Sequence, residues 1–170
     1  MKKHVKQGVL EKQARQLLED RGVKIDDIAE LVYYLQSGYH QELSMDECRY
    51  NVNRVLTKRE VQNAVITGIE LDVLAEKKLL SEPLQETIAT DESLYGVDEI
   101  IALSIVNVYG SIGLTNYGYI DKQKPGILKR LNDKSTGYVH TFLDDIVGAI
   151  AAAASSRLAH SSEDHEEIVD

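Results

Sequence analysis

The chain has 170 residues and a mass of 19.0 kDa, within the usual span of about 100 to 200 residues for one domain, so a two-domain enzyme is not expected. Against 28 acidic residues stand 19 basic ones, giving a formal charge of −9 and a pI near 5.0. With no dense Lys/Arg cluster, nucleic acid is not an expected partner, because neutralising phosphates takes a basic face, and charge alone would not dock the chain on anionic lipid. The lone Cys48 can form no intramolecular disulfide, no Cys/His spacing suits zinc, and the first residues lack the apolar run of a secretion signal, so a cytoplasmic protein is expected.

In chain order the pattern predicts helices throughout. Residues 9–21 place Leu10, Ala14, Leu17 and Leu18 at helical spacing and stop at Gly22, and a second segment opened by Asp26 aligns Ile28, Leu31, Val32 and Leu35 before Gly38. Ser44 with Glu47, and Thr57 with Glu60, have the side chains of capping boxes. The second box opens a long helix over 58–80, with Val61, Val65, Ile69 and Val73 on one stripe and Gly68 as either a weak point or a point of close helix contact. Ser81 is expected to cap a short helix running through Pro83 and Leu84 to Ile88. The uncharged run 100–120 has the length of a membrane span, but its asparagines, glycines and tyrosines suit a buried helix and a following loop better. We therefore expect a helix from Asp98 to about Tyr109, an irregular stretch over 110–124, a helix opening at Pro125, and a last helix from near His140 to about Leu158. The fold class is all-α, a single compact multi-helical domain over 1–160, with a frayed polar tail over 161–170.

Candidate chemistry concentrates in the C-terminal half. Asp98 and Glu99, and Asp144 and Asp145, are adjacent acids in first helical turns. Neighbours on a helix point about 100° apart, so one acid of each pair should face inward and the other a second layer or water. Such acids commonly just complement the helix dipole. Behind Asp144 and Asp145, however, the run GAIAAAASS lets another helix approach closely and draws them towards a packed interface. Buried carboxylates need cations, and a hard divalent ion such as Mg²⁺ is the partner the sequence permits. A second group comprises Asp121, Lys122, Lys124, Pro125 and Gly126. Lys124, before a proline, should be extended or in a capping geometry with its ammonium beside free helix amides, an anion site, unless the segment is a solvated loop. Tyr117 and Tyr119 read as core or surface residues that could line a pocket.

Three ordered motifs carry a likeness: the acidic pair in GVDEIIAL, the Asp-x-x-Lys-Pro pattern in YIDKQKPGIL, and the Asp-Asp-x-x-x-Gly/Ala pattern in HTFLDDIVGA. With these, residues 95–158 resemble the phosphatidylglycerophosphatase A family, and the whole chain its soluble Gram-positive branch, known as low-temperature-requirement protein C. The resemblance implies an Mg²⁺-dependent phosphomonoesterase that converts phosphatidylglycerophosphate to phosphatidylglycerol and phosphate. It assigns metal-binding roles to Asp98, Glu99, Asp121, Asp144 and Asp145, and catalytic roles to Asp121, Lys124, Asp144 and Asp145. The chain departs from the membrane-embedded members in having no hydrophobic spans, Gly118 in place of an arginine, and His140 in place of a glycine, the histidine reading more readily as a capping or structural residue. The expected partner is a phosphorylated substrate, a phospholipid by resemblance. Membrane contact would be peripheral at most, through a small patch of Lys122, Lys124, Lys129 and Arg130, and a homo-oligomer is conceivable. Two rival readings are a phosphatase for a soluble phosphomonoester and a non-catalytic helical regulatory or scaffold protein.

Overall fold

The computed structural model describes the backbone of residues 7–166 and the side chains of residues 8–161, and among these residues it contains helices and no strand. The helices are α1 (Gln7–Asp20), α2 (Ile25–Gln36), α3 (Met45–Leu56), α4 (Arg59–Glu76), α5 (Leu84–Thr90), α6 (Val97–Val106), α7 (Ile112–Gln123), α8 (Ile127–Leu131) and α9 (Leu143–Glu166). The architecture is all-α, as the sequence predicts. Among the described residues no helix is long and apolar enough to cross a membrane; the uncharged run 100–120 is divided between α6, a 3-10 turn (Asn107–Tyr109) and α7.

α9 is the axis, touched by α2, α3, α4, α6, α7 and α8. From Phe142 to Ser156, Asp144 is the one residue that is not buried. A helix apolar on all sides is stable only when covered all round, and Ala149 and Ala151–Ala154 keep its girth small enough for neighbours on every side. Ser155 and Ser156 satisfy their buried hydroxyls on the carbonyls of Ala151 and Ala152, at 2.9 and 3.2 Å. α4 crosses the start of α9 at Gly68, where an added Cβ would strike Ile146 and come within 3.0 Å of Phe142. That glycine is a close-contact point.

Several local expectations are corrected. Ser44 does form a capping box with Glu47, but Thr57 does not: its hydroxyl donates to Arg54 O at 2.7 Å and finishes α3, and Lys58 precedes α4. With two residues between the helices, Thr57 has helical rather than extended backbone and cannot cap forwards. The long helix ends at Glu76, not Leu80, and α5 starts after Pro83 without a cap from Ser81. The stretch expected to be irregular, 110–124, contains α7. Gly113, Asn116 and Gly118 are poor helix formers, yet Gly113 packs against Val106 and Ser156, and Tyr117 and Ile120 are buried, so tertiary contact overrides propensity. The last helix begins at Leu143 and continues past Leu158 through the first part of the expected tail to Glu166; residues 167–170 lie outside those described.

Candidate active site

The first turn of α9 is held from outside. Asp72 of α4 is completely buried and accepts hydrogen bonds from Phe142 N at 3.0 and 3.2 Å and from Leu143 N at 3.0 Å. These are orphan amides at a helix start, which need an acceptor when buried. Burial pushes the Asp72 carboxyl well above the ordinary carboxylate range, against the pull of the two amides and Arg21. The approach to the turn is fixed as well. Arg21 bridges Glu76, at 2.8 Å, and Val139 O, at 2.8 Å, while Glu76 accepts from Val139 N at 3.0 Å. His140 is a structural histidine: Nδ1 lies 3.1 Å from Leu131 O, the ring stacks on Tyr138, and burial lowers its pKa.

So positioned, α9 turns both acids inward. The side chains of Asp144 and Asp145 are only 12% and 9% exposed, which corrects the expectation of one inward acid per pair. At the other pair the expectation matches the geometry, with Asp98 half-buried and Glu99 exposed. Lys124 stands among the acids, its Nζ 2.5 Å from Asp121, 3.0 Å from Asp144 and 4.0 Å from Asp145. Its backbone is neither extended nor part of an opening helix: Lys124 ends α7 in the left-handed region, at φ 46 and ψ 48. That conformation costs a side-chain-bearing residue about 1–2 kcal/mol; the three carboxylates hold it there. The expected anion site is corrected accordingly. α8 is a five-residue helix beginning at Ile127, and the lysine faces carboxylates rather than helix amides. It is likewise withdrawn from the expected surface patch, in which Arg130 is bonded to Gly22 O.

The electrostatics follow from too many acids for one ammonium. Burial raises Asp145 to about 8, with Asp144 adding repulsion and Lys124 opposing it. Burial also raises Asp144 despite its ion pair with Lys124, and raises Asp98, whose carboxyl meets that of Asp145. Burial acts to lower Lys124, but Asp144 and Asp121 outweigh it and keep the ammonium firmly charged. Tyr117 backs the group: it is buried, and its hydroxyl lies beside Asp145 without a well-formed hydrogen bond. Tyr119 instead faces outward and stacks on Tyr34.

Asp98, Glu99, Asp121, Lys124, Asp144 and Asp145 all line one cavity of about 270 Å³, walled by α6, α7 and the start of α9. Gly118 is not among its lining residues. As the side chains lie, no group of three or more His, Cys, Asp and Glu among the described residues is set to hold a metal ion. In kind the residues nonetheless suit a hard dication: every acidic donor is a carboxylate oxygen, and burial raises three of the acids. Sequence reasoning missed Asp72, an acid on the buried stripe of α4 whose one visible signal is its i+3 spacing from Ile69. It also missed Asp91, at the end of α5, and Lys134, at the start of a 3-10 turn (Lys134–Thr136), which reach the cavity from separate segments and form an ion pair at 3.1 Å; no local spacing announces that pair.

Comparison with known proteins places the chain among relatives. The family model described as Phosphatidylglycerophosphatase A matches residues 16–160. The uncharacterized protein YutG of Bacillus subtilis (strain 168) is 74% identical over 151 residues, covering 89% of this chain and 91% of that protein. The uncharacterized protein YpjQ of the same organism is 59% identical over 150 residues, covering 88% and 84%. The crystal structure of the low temperature requirement C protein from Listeria monocytogenes superposes with a TM-score of 0.91 at 70% identity, covering 93% of this chain and 99% of that one.

Proposed function

We propose, from the premise that the chain belongs to the phosphatidylglycerophosphatase A family, that it is an Mg²⁺-dependent phosphomonoesterase removing the terminal phosphate of phosphatidylglycerophosphate. The observation that carries this reading is the convergence of Asp98, Asp121, Asp144 and Asp145, from three helices, on one cavity with Lys124 among them. In this reading Asp98 or Glu99, Asp121, and Asp144 or Asp145 would hold the dication, which would supply charge to offset that of the phosphoryl group. Lys124 keeps Asp121 and Asp144 turned to the cavity and stabilises negative charge arriving there. Whichever acid of the last pair does not hold the dication is free to act as general acid or base. Tyr117 is buried beside Asp145, behind the acids.

Purified protein with Mg²⁺ should release phosphate from phosphatidylglycerophosphate in mixed micelles. Asp121→Asn and Asp144→Asn should abolish release while leaving the melting temperature unchanged or raised. Wild-type protein that releases no phosphate from this lipid or from soluble phosphomonoesters would overturn the enzyme reading in favour of a scaffold. The acid-rich rim, with exposed Glu92 and Glu99, favours a second reading, a soluble phosphomonoester as substrate. Turnover of such an ester at rates equal to or above those for the lipid would establish it.

A further inference from the structure

The cavity has two cationic side chains among its described lining residues, and they differ in depth and attachment. Lys124 is inner: its side chain is 24% exposed, and three carboxylates from α7 and α9 surround it. Lys134 is outer: its side chain is 67% exposed, and among the described residues it forms an ion pair with Asp91 alone, at 3.1 Å. An exposed pair of this kind contributes at most about 1 kcal/mol, so Lys134 can leave Asp91 for an arriving anion at little cost. Removing a partly buried ammonium from several carboxylates costs far more. A smaller hollow of about 80 Å³ adjoins the cavity and shares Asp91, Asn132, Lys134 and Asp144 with it. Lys134 therefore stands where the two hollows join.

We infer that Lys134 is a specificity-determining residue that binds a second phosphate on the substrate, the one not being removed. The inference rests on the phosphatase reading and narrows it to phosphomonoesters bearing another phosphate group a short polyol away. The proposed lipid has that form: one glycerol unit separates its terminal phosphomonoester from its phosphodiester. The terminal group occupies the acidic cavity beside Lys124, and the phosphodiester meets Lys134 at the junction. In place of Asp91, the lysine then makes a charge-assisted hydrogen bond to a phosphate oxygen.

Two paired measurements test this. In hydrolysis, kcat/KM is compared for short-chain phosphatidylglycerophosphate, with two phosphates, and glycerol 3-phosphate, with one. In calorimetry at saturating Mg²⁺, the probes are 1,3-propanediol bisphosphate and propyl phosphate. Wild type should prefer the two-phosphate member of each pair. Lys134→Ala should reduce that preference about 10- to 100-fold, the size of a hydrogen bond to a charged group, chiefly through KM and Kd. Lys134→Arg should retain most of it, and Lys77→Ala, an exposed lysine outside the cavity, should change nothing. If Lys134→Ala keeps the wild-type preference, or weakens both members of a pair equally, the assignment is wrong. If no ester is hydrolysed but the calorimetric preference exists and depends on Lys134, the phosphatase reading fails and the second-phosphate site stands.

Discussion

The first turn of α9 and its middle are buried to a similar degree and differ in everything else. In the middle, Ala149 to Ser156 bring few polar side-chain atoms into the core, and the two serine hydroxyls are bonded within the helix itself. Nothing there is left to react. In the first turn, Asp144 and Asp145 enter the core beside Asp98 and Asp121 with one ammonium between them. The middle gains stability from burial, whereas the turn carries a charge deficit that burial makes worse. A helix can thus be anchored by one stretch while holding another in a state that free chain would not adopt.

The sharpest way to break this contrast is to remove the ammonium. Lys124→Met should cost about 3–5 kcal/mol at neutral pH without metal, because it strands buried carboxylates. The loss should shrink at pH 5, where they take up protons; urea unfolding at both pH values measures this, and an equal loss would mean that the lysine acts by packing. Asp72→Ala should cost about 2–3 kcal/mol, since it leaves buried α9 amides without an acceptor, and should also depress any phosphatase activity by loosening the turn. Asp72→Asn, which keeps one acceptor oxygen, should lose less on both counts.

Ala152→Leu probes the other stretch. Overpacking at a fully buried position should cost about 1–3 kcal/mol, with no dependence on pH between 5 and 8 and none on Mg²⁺. The remaining effect is a gain. Asp145 has a folded pKa of about 8, above the ordinary 3.8, so between those values the folded chain holds a proton that the unfolded chain has lost, and stability falls as pH rises through that window. Asp145→Asn should flatten the fall and be more stable than wild type at pH 8 without metal, by at least about 1 kcal/mol, one pKa unit being worth about 1.4. Thermal unfolding across the window reads both slopes.

The helical character of the chain is legible because each outer helix carries its apolar residues on one stripe, as α2 does with Ile28, Leu31, Val32 and Leu35. α7 is not legible in this way. Its glycines and asparagine speak against a helix, and the reason it is one lies in Val106 and Ser156, residues of other elements. At the site, the acids stand out in sequence as paired charges against apolar surroundings, so Asp98, Asp121, Asp144 and Asp145 could be named together. How they are neutralised could not. That Lys124 turns to three carboxylates follows from its left-handed backbone at the end of α7, and Pro125 alone suggests an extended residue instead. Asp72 was hidden because one acid on a helical stripe looks the same whether it faces water or a neighbour's amides.

Gly68 and Asp72 sit one turn apart on α4, the first admitting Ile146 and Phe142 by its lack of bulk, the second gripping the amides of Phe142 and Leu143. None of the residues lining the acidic cavity precedes Asp91, yet these two contacts from the first half of the chain decide where its acids come to rest. Chemistry and alignment are thus written in different halves of the polypeptide. A redesign that grafted only the acid-bearing second half onto another scaffold would carry over the reagents without the jig that registers them.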